Sequence, residues 1–569
     1  MKFREAALHF AAIEEKSGRI EMAEEIAELF KKATPEEGRI IGYMLSDSLL
    51  PTYQGFDLGI GEKTLVEAIA RAGGYPKEAV EKRFREVGDL GLVAEEVVAK
   101  RRQHSLSRKE MRLKEVYQKF MEIAKQGGKG SKEGKIRMLE GLIGNASPVE
   151  ARFIIRAALS NMRLGVGEPT VLDGLSIAVF GSRERKEDIE AQFNTCSDIG
   201  YVIEKVLEKK DIVKVKTEVF RPLRYALAER ASDEKEIISR LGRCAVEYKY
   251  DGFRMQVHCK EGKVVIYSRK MENLTHMFPD VVEAVKGLGA KEIIFEGEAL
   301  AFDRKSKKFL PFQQTMQRRR KYGVEKASEE LPLKVFAFDL LYIDGKEVFL
   351  EPYKERRAMM EKIFPKGILE ISTMKIVDTP EELKDFFDEA AGHGLEGVIA
   401  KDLEAPYTAG KRKFAWIKLK KAYLQAETVD AVVLGYYEGK GKRAEFGLGG
   451  LLVGVYNPES DMFETIAKIG TGFSEEEMEE WAKKLKRIRV AKPKNIEYVI
   501  EPNHWVEPKY VVEVGFDEIT ESPLHTCGKK GGKGYALRFP RIIRIREDKG
   551  IYEATTTQEI EGMRKGFKE

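Results

Sequence analysis

The chain has 569 residues, too many to pack around one hydrophobic core, so two to four domains are expected. Hydrophobic residues are 43% of it, enough for several cores, and no run of about 18 apolar residues occurs, which excludes a membrane-spanning helix. Charged residues reach 34%, with Lys and Glu in excess as in proteins from hot environments, yet the formal net charge is only +5, so bulk charge does not point to nucleic acid.

The N-terminus, MKFREAALHF, is charged and amphipathic and lacks a signal-peptide core, which makes the cytoplasm the expected compartment. Residues 1–215 read as helices: EAALHFAAIEE and MAEEIAELFKKA set apolar residues at helical spacing. One helix is expected to open at Pro148, with Ser147 as its N-cap. From about residue 220 the period shifts toward two. Strands are expected over 246–258, 263–268, 292–302, 333–343 and 397–401, with helices over 353–363 and 381–391 between them. That pattern describes an α+β domain with antiparallel pairs. After about residue 423 a second strand-rich unit begins, with strands over 428–436, 450–456, 510–516 and 542–545 and one helix over 475–488. A small Greek-key barrel fits that count. The four cysteines, Cys196, Cys244, Cys259 and Cys527, form no C-x-x-C pair, so neither a zinc knuckle nor a disulfide scaffold is expected.

Local basic runs carry what the net charge does not: Arg318-Arg319-Arg320-Lys321, Lys411-Arg412-Lys413, and Lys418 with Lys420-Lys421. The chemistry-bearing sequence starts at Glu247-Tyr248-Lys249-Tyr250-Asp251-Gly252-Phe253-Arg254. A lone lysine at a strand end is ordinarily a solvated surface group. To act as a nucleophile a lysine must shed its proton, which neighbouring cations or burial promote. Gly252 would let a ligand approach the backbone closely. Downstream follow Tyr267-Ser268-Arg269, Phe295-Glu296-Gly297-Glu298-Ala299 and Phe336-Ala337-Phe338-Asp339-Leu340-Leu341. Then come Glu396-Gly397-Val398-Ile399-Ala400-Lys401, Trp416-Ile417-Lys418-Leu419-Lys420-Lys421, and Arg538-Phe539-Pro540-Arg541 running to Arg546-Glu547-Asp548-Lys549. Lys418 and Lys420 alternate along a strand and so share one face. Phe336 and Leu340 are expected on the same strand face as Phe338, which taken alone reads as a core stripe.

K-x-D-G-x-R, S-R, E-G-E, F-x-F-D, E-G-V-I-A-K and W-x-K-L-K, in this order, resemble the motif set of the covalent nucleotidyltransferases, the superfamily of DNA ligases, RNA ligases and mRNA capping enzymes. One such motif is weak evidence; six in order are specific. Glu150-Ala151-Arg152-Phe153 through Arg163-Leu164-Gly165-Val166-Gly167 resembles the helical DNA-binding domain of archaeal and eukaryotic replicative ligases. Gly439-Lys440-Gly441-Lys442-Arg443 with Phe446-Gly447-Leu448-Gly449-Gly450 resembles the start of their OB domain. The resemblance covers the whole chain. It implies an N-terminal all-α DNA-binding domain over 1–215, an α+β adenylation domain over 216–423 and a C-terminal β-barrel OB-fold over 424–569.

The same resemblance assigns roles. Lys249 is the nucleophile that attacks the α-phosphorus of ATP; AMP then passes to the 5′-phosphate of a nick, and the 3′-hydroxyl displaces it. Glu247 meets the adenine edge and Phe338 stacks on its face. Arg254 contacts ribose or phosphate, and Arg269 contacts phosphate, as guanidinium forks do. Glu298 and Glu396 lie near the ribose and a divalent metal, Mg²⁺ or Mn²⁺. Arg412, Lys418 and Lys420 bind phosphates, and Arg546, Asp548 and Lys549 orient pyrophosphate during enzyme adenylation. The implied partners are ATP and nicked duplex DNA, with the enzyme a monomer. A sliding clamp is a further candidate partner through Gln103-His104-Ser105-Leu106-Ser107, which has the Gln and an apolar residue but no aromatic. Arg221-Pro222-Leu223-Arg224-Tyr225-Ala226-Leu227 matches the lead-in to the catalytic core loosely, since relatives read closer to R-P-M-L-A. A capping enzyme would lack the helical module, and an NAD-dependent ligase would carry a four-cysteine zinc module. RNA ligation stays open as the second enzymatic reading. A DNA-binding protein with a dead nucleotide site requires loss of key groups, yet Lys249, Glu298, Glu396 and Lys418 are all present.

Overall fold

The computed structural model describes residues 1–566 apart from 17, 102–109, 129, 232, 304–307, 311, 319, 321–322, 365–366, 421–426, 440–446 and 471. The side chain of Arg412 also lies outside the description. So do the segment at Gln103 and the whole Lys440 to Phe446 run. The chain forms two compact units. One comprises residues 1–193, 197–215 and 492–495; the other comprises 194–196, 216–491 and 496–569. Among the described residues no helix is long and apolar enough to cross a membrane.

The first unit is helical. Its helix Pro148–Ala158 opens as expected, with Pro148 in the first turn and Glu150 accepting from the Ser147 amide at 2.8 Å and its hydroxyl at 2.6 Å. The arginines of that helix are structural. Arg152 forks onto Glu95 with two contacts of 2.7 Å. Arg156 is buried and reaches Asp89 at 2.7 Å and Glu14 at 2.9 Å. A buried guanidinium is stable only with such partners. The E-A-R-F sequence therefore knits helices together.

The second unit holds the pocket described below. Its first sheet places Cys244–Lys249 between Gly397–Asp402 and Met374–Val377, antiparallel to both. Arg412–Lys420 follows on the far side of Gly397–Asp402, with Leu227–Arg230 parallel beyond it. Side chains alternate across a sheet. Val246, Tyr248, Val398, Ala400, Ile417 and Leu419 face a core completed by Leu383, Phe386 and Phe387 of helix Pro380–Gly392. The opposite face presents Glu247, Lys249, Ile399, Lys401, Trp416, Lys418 and Lys420, and all seven line one pocket.

A second sheet runs in the order Lys263–Ser268, Phe253–Lys260, Glu292–Asp303, Leu333–Ile343 and Lys346–Glu347. The single strand expected over 246–258 is therefore two. Cys244–Lys249 ends in the first sheet, and Phe253–Lys260 begins in the second by pairing Phe253 with Ala299. Gly252 sits at the crossing. A Cβ there would stand 2.4 Å from the Ala299 carbonyl oxygen, so the close approach that needs glycine is made by the chain's own backbone rather than by a ligand.

In the C-terminal part, Glu427–Tyr437 pairs with Gly450–Asn457 and with Val511–Phe516, which in turn pairs with Arg541–Ile545. Helix Glu475–Arg487 adds Trp481 and Leu485 to the core that these strands enclose. The strands Met462–Ile469 and Lys533–Arg538 were not expected from the sequence pattern.

Candidate active site

The first sheet brings three charged groups together at the ends of its three inner strands. Gly397 stands in register with Lys249 on one side and Lys420 on the other. Glu396, one residue earlier, donates its amide to the Lys249 carbonyl at 3.1 Å. Its carboxylate accepts from both the Lys249 and the Lys420 ammonium groups. Gly397 has φ 148°, and a Cβ on it would stand 2.1 Å from the Leu419 carbonyl oxygen. No other residue lets the three strands close up this way. Burial works to raise the Glu396 carboxyl, but the charges of Lys249 and Lys420 hold it well below the usual carboxylate range.

At the inner end of the pocket Glu247 accepts from the Tyr353 hydroxyl, with Lys401 at 3.1 Å and Arg357 at 3.7 Å. Lys401 also donates to the Phe338 carbonyl at 2.7 Å, and its ammonium lies 4.4 Å from the centre of the Trp416 ring. Burial lowers the Lys401 pKa even though Glu247 opposes the shift. Phe338 does not share the apolar face of Phe336 and Leu340. Glu296 pairs with Asp339 while the next residue, Gly297, pairs with Ala337, so Phe338 is the extra residue of a bulge. A bulge re-aims a side chain. Phe336 joins one core, Leu340 another, and Phe338 turns half-exposed into the pocket beside Trp416, with ring centres 6.0 Å apart.

Arg254 donates to Glu296 at 2.7 Å and to the Ala226 carbonyl at 3.0 Å, with its guanidinium 5.2 Å from the Phe338 ring centre. Beneath it runs a buried polar layer. Glu296 accepts from Gln256 at 3.0 Å and from the Tyr407 hydroxyl at 2.7 Å. His258 accepts from the Phe220 amide at 3.0 Å and faces Gln256 at 2.9 Å. Burial pushes His258 down to about 3. This layer fixes the loosely matched 221–227 segment, because Gln256 binds both the amide and the carbonyl of Leu223.

Glu298 lines the same pocket, and no hydrogen bond or ion pair reaches its carboxyl group among the described residues. Burial pushes it up to about 8, although Lys249 and Arg254 pull the other way.

The C-terminal strands supply the opposite wall. Arg546 forks onto Asp548 at 2.9 and 2.8 Å and reaches Asp430 at 3.0 Å, while Lys549 pairs with the other Asp430 oxygen. Burial works to raise Asp430, but Arg546 and Lys549 hold it well below its usual value. Burial together with the Arg546 charge lowers Lys549 to about 8, against the pull of Asp430. Ion pairs join the walls, among them Arg269 to Glu553 at 2.8 Å and Arg544 to Asp251 at 3.5 Å.

Of the residues singled out from the sequence, Glu247, Lys249, Arg254, Arg269, Glu298, Phe338, Glu396, Lys418, Lys420, Arg546, Asp548 and Lys549 all line this pocket. Arg412 begins a strand of the first sheet, and its side chain is not described. Lys401, Asp430, Glu553 and Tyr353 were missed as site residues. One basic run is corrected: Arg318 is fully buried and pairs with Asp280 at 2.7 Å, so it presents no charge to a partner.

Family models match the chain in three consecutive stretches: DNA ligase N terminus over residues 2–176, ATP dependent DNA ligase domain over 225–420, and ATP dependent DNA ligase C terminal region over 444–549. A probable DNA ligase of Dictyoglomus turgidum is 46% identical, with 100% of this chain and 98% of that protein aligned. A DNA ligase of Aeropyrum pernix is 41% identical, with 99% of this chain and 98% of that protein aligned. Among solved structures, mycobacterial DNA ligase D complexed with ATP and MES aligns with a TM-score of 0.36 and 24% identity, over 58% of this chain and 98% of that chain.

Proposed function

The chain belongs to the ATP-dependent DNA ligase family, and from that premise we propose that Lys249 carries AMP from ATP to the 5′-phosphate of a nick in duplex DNA. The family seals nicks through an adenylate intermediate, with ATP as the AMP donor. In the first step the Lys249 nitrogen bonds to the α-phosphorus and loses a proton, and pyrophosphate departs with the electron pair of the broken P–O bond. AMP then passes to the 5′-phosphate, regenerating the lysine, and the 3′-hydroxyl displaces AMP to close the strand. Each step is a displacement at phosphorus, so the protein contributes mainly positioning and charge neutralisation.

The observation that carries the reading is the Lys249, Glu396 and Lys420 cluster, set at the ends of three neighbouring strands and facing the Arg546 and Lys549 pair across the pocket. Glu396 orients the lysine and Lys420 adds a cation toward the phosphates. Phe338 is the platform for the adenine face, Glu247 meets its edge, and Arg254 and Arg269 contact ribose and phosphates. Arg412 and Lys418 extend the phosphate contacts. Arg546 and Lys549, oriented by Asp548, receive pyrophosphate.

A divalent cation, Mg²⁺ or Mn²⁺, fits beside Glu298, whose buried carboxyl lacks a compensating partner among the described residues. Such an ion would neutralise phosphate charge when bound. Glu396 fits as a second ligand only when it gives up an ammonium group. The helical residues 1–215 grip the duplex through its backbone, so binding weakens with salt and tolerates sequence. Residues 216–423 form the adenylation domain and 424–569 the OB domain.

The test is intact-protein mass after incubation with ATP and Mg²⁺. The wild-type chain gains one AMP, and Lys249→Ala gains none while still binding nicked DNA. An adduct of wild-type intensity on Lys249→Ala would sink the assignment. Relative kcat/KM on nicked DNA and nicked RNA duplexes separates DNA sealing from RNA sealing.

A further inference from the structure

The inner end of the nucleotide pocket holds a buried carboxylate whose two oxygens are used differently. Glu247 and Lys401 line the pocket, whereas Tyr353 and Arg357 stand behind them. Glu247 Oε1 accepts from the Tyr353 hydroxyl, with the Arg357 guanidinium 3.7 Å away. Glu247 Oε2 faces the Lys401 ammonium at 3.1 Å. Tyr353 opens helix Tyr353–Ile363, and its amide donates to the Ala405 carbonyl at 3.0 Å. Arg357, one turn further along that helix, is tied to the Ser372 carbonyl at 2.9 Å. The inner oxygen is thus held from a fixed helix end.

Lys401 is held as firmly. Its ammonium donates to the Phe338 carbonyl at 2.7 Å, and the rings of Trp416, Tyr353 and Phe338 have their centres 4.4, 4.6 and 5.2 Å from it. An ammonium group has three hydrogens. The Phe338 carbonyl and Glu247 Oε2 take two, which leaves one for a ligand. The pocket therefore offers an acceptor and a donor side by side. Their order is kept only while Oε1 is occupied, because a carboxylate released from Tyr353 can turn about its own side-chain bonds and present either oxygen. Adenine carries a donor, its 6-amino group, next to an acceptor, N1, which complements that pair. Guanine carries the acceptor O6 next to the donor N1–H. With its face on Phe338, guanine would set like against like.

We infer that Tyr353 sets the choice of donor nucleotide: by occupying the inner oxygen of Glu247, it holds the outer oxygen against the 6-amino group of adenine and turns guanine away. Tyr353 acts through Glu247 and is a positioning residue, with Arg357 supporting it at the same oxygen. The inference rests on the adenylation reading given above.

The test measures nucleotide adduct formation on the full chain, freed of AMP, with ATP and with GTP, each with Mg²⁺. The quantity compared is the ratio of the two kcat/KM values. A variant that folds less well loses the same share of both, so the ratio reads only the choice. Tyr353→Phe keeps the ring and removes the hydroxyl. It is expected to lower the preference for ATP about tenfold, with KM for ATP rising and the rate at saturating ATP retained. Purine riboside triphosphate, which is ATP without its 6-amino group, gives a second readout: the wild-type penalty for that loss should largely vanish in Tyr353→Phe. Arg357→Gln should lower the preference by less, and it reads the choice if Tyr353→Phe does not fold. An unchanged preference in folded Tyr353→Phe overturns the inference. So does an equal fall in rate with both nucleotides, which marks a merely structural role. A wild-type chain that never acquires AMP would instead overturn the reading on which the inference stands.

Discussion

The two walls of the pocket use one device, a carboxylate shared by two cations, for different purposes. On the sheet wall Glu396 holds Lys249 and Lys420, and strand register fixes all three through Gly397. On the opposite wall Asp430 holds Arg546 and Lys549. In the proposed reaction the nucleophile, Lys249, is a member of the first pair, so that pair would take part whenever Lys249 does. In the same proposal the second pair would meet only the leaving group. The same local electrostatics therefore gives a general requirement on one wall and a step-specific one on the other. Which wall a residue sits on, rather than how strongly it is paired, decides what its loss should do.

The sharpest way to break this contrast is Glu396→Ala. Two ammonium groups would be left without their shared carboxylate, at a cost of about 3–4 kcal/mol, roughly several hundredfold in rate. Single-turnover assays should show the loss in self-adenylation and in sealing of a pre-adenylated nick alike. Retention of either step would show that Glu396 does not serve Lys249 generally.

Lys549→Ala should separate the steps. Losing one positioned cation at a departing pyrophosphate costs on the order of 3 kcal/mol, about a hundredfold in self-adenylation. A pre-adenylated nick should seal at nearly the wild-type rate. If both rates fall together with the melting temperature, Lys549 is only a structural member of its strand.

The pH dependence sharpens the same point. Lys549 is lowered to about 8, so it loses its charge as pH rises through that value. One pH unit higher, about nine-tenths of it is neutral, and self-adenylation should fall about tenfold through this residue. Lys549→Arg keeps its charge throughout. Its alkaline limb should move upward relative to wild type, and coincident limbs would remove Lys549 from the step.

The smallest effect is expected at the junction of the walls. Glu553→Gln keeps a hydrogen bond to Arg269 but removes the charge, which costs about 1 kcal/mol, or roughly fivefold in self-adenylation. Titration of the adenylation rate against ATP should place the loss in this first step. An unchanged rate would mean the junction contributes nothing to it.

Much of the sheet wall was legible in the sequence. The alternation of Lys418 and Lys420 is a property of strands, and both residues do line the pocket. The helices expected over 353–363 and 381–391 are present as Tyr353–Ile363 and Pro380–Gly392. What could not be read depends on register or distant pairing. The break at Gly252 and the bulge at Phe338 arise from partner strands, which the local pattern does not encode. Arg318 looked like part of a surface run because its partner, Asp280, lies 38 residues away. Asp430 had a signal, a lone carboxylate between Val429 and Ala431 in an apolar strand, but nothing in the strand pattern told what it would pair with.

Gly397 has a consequence at the level of the gene. Every amino acid that a single base change can substitute for glycine carries a Cβ, and at this position a Cβ meets the Leu419 carbonyl oxygen at 2.1 Å. No missense change one base away can therefore be silent in effect, and random mutagenesis offers no gradual route through this codon. A library built to alter donor or substrate preference should hold residue 397 fixed.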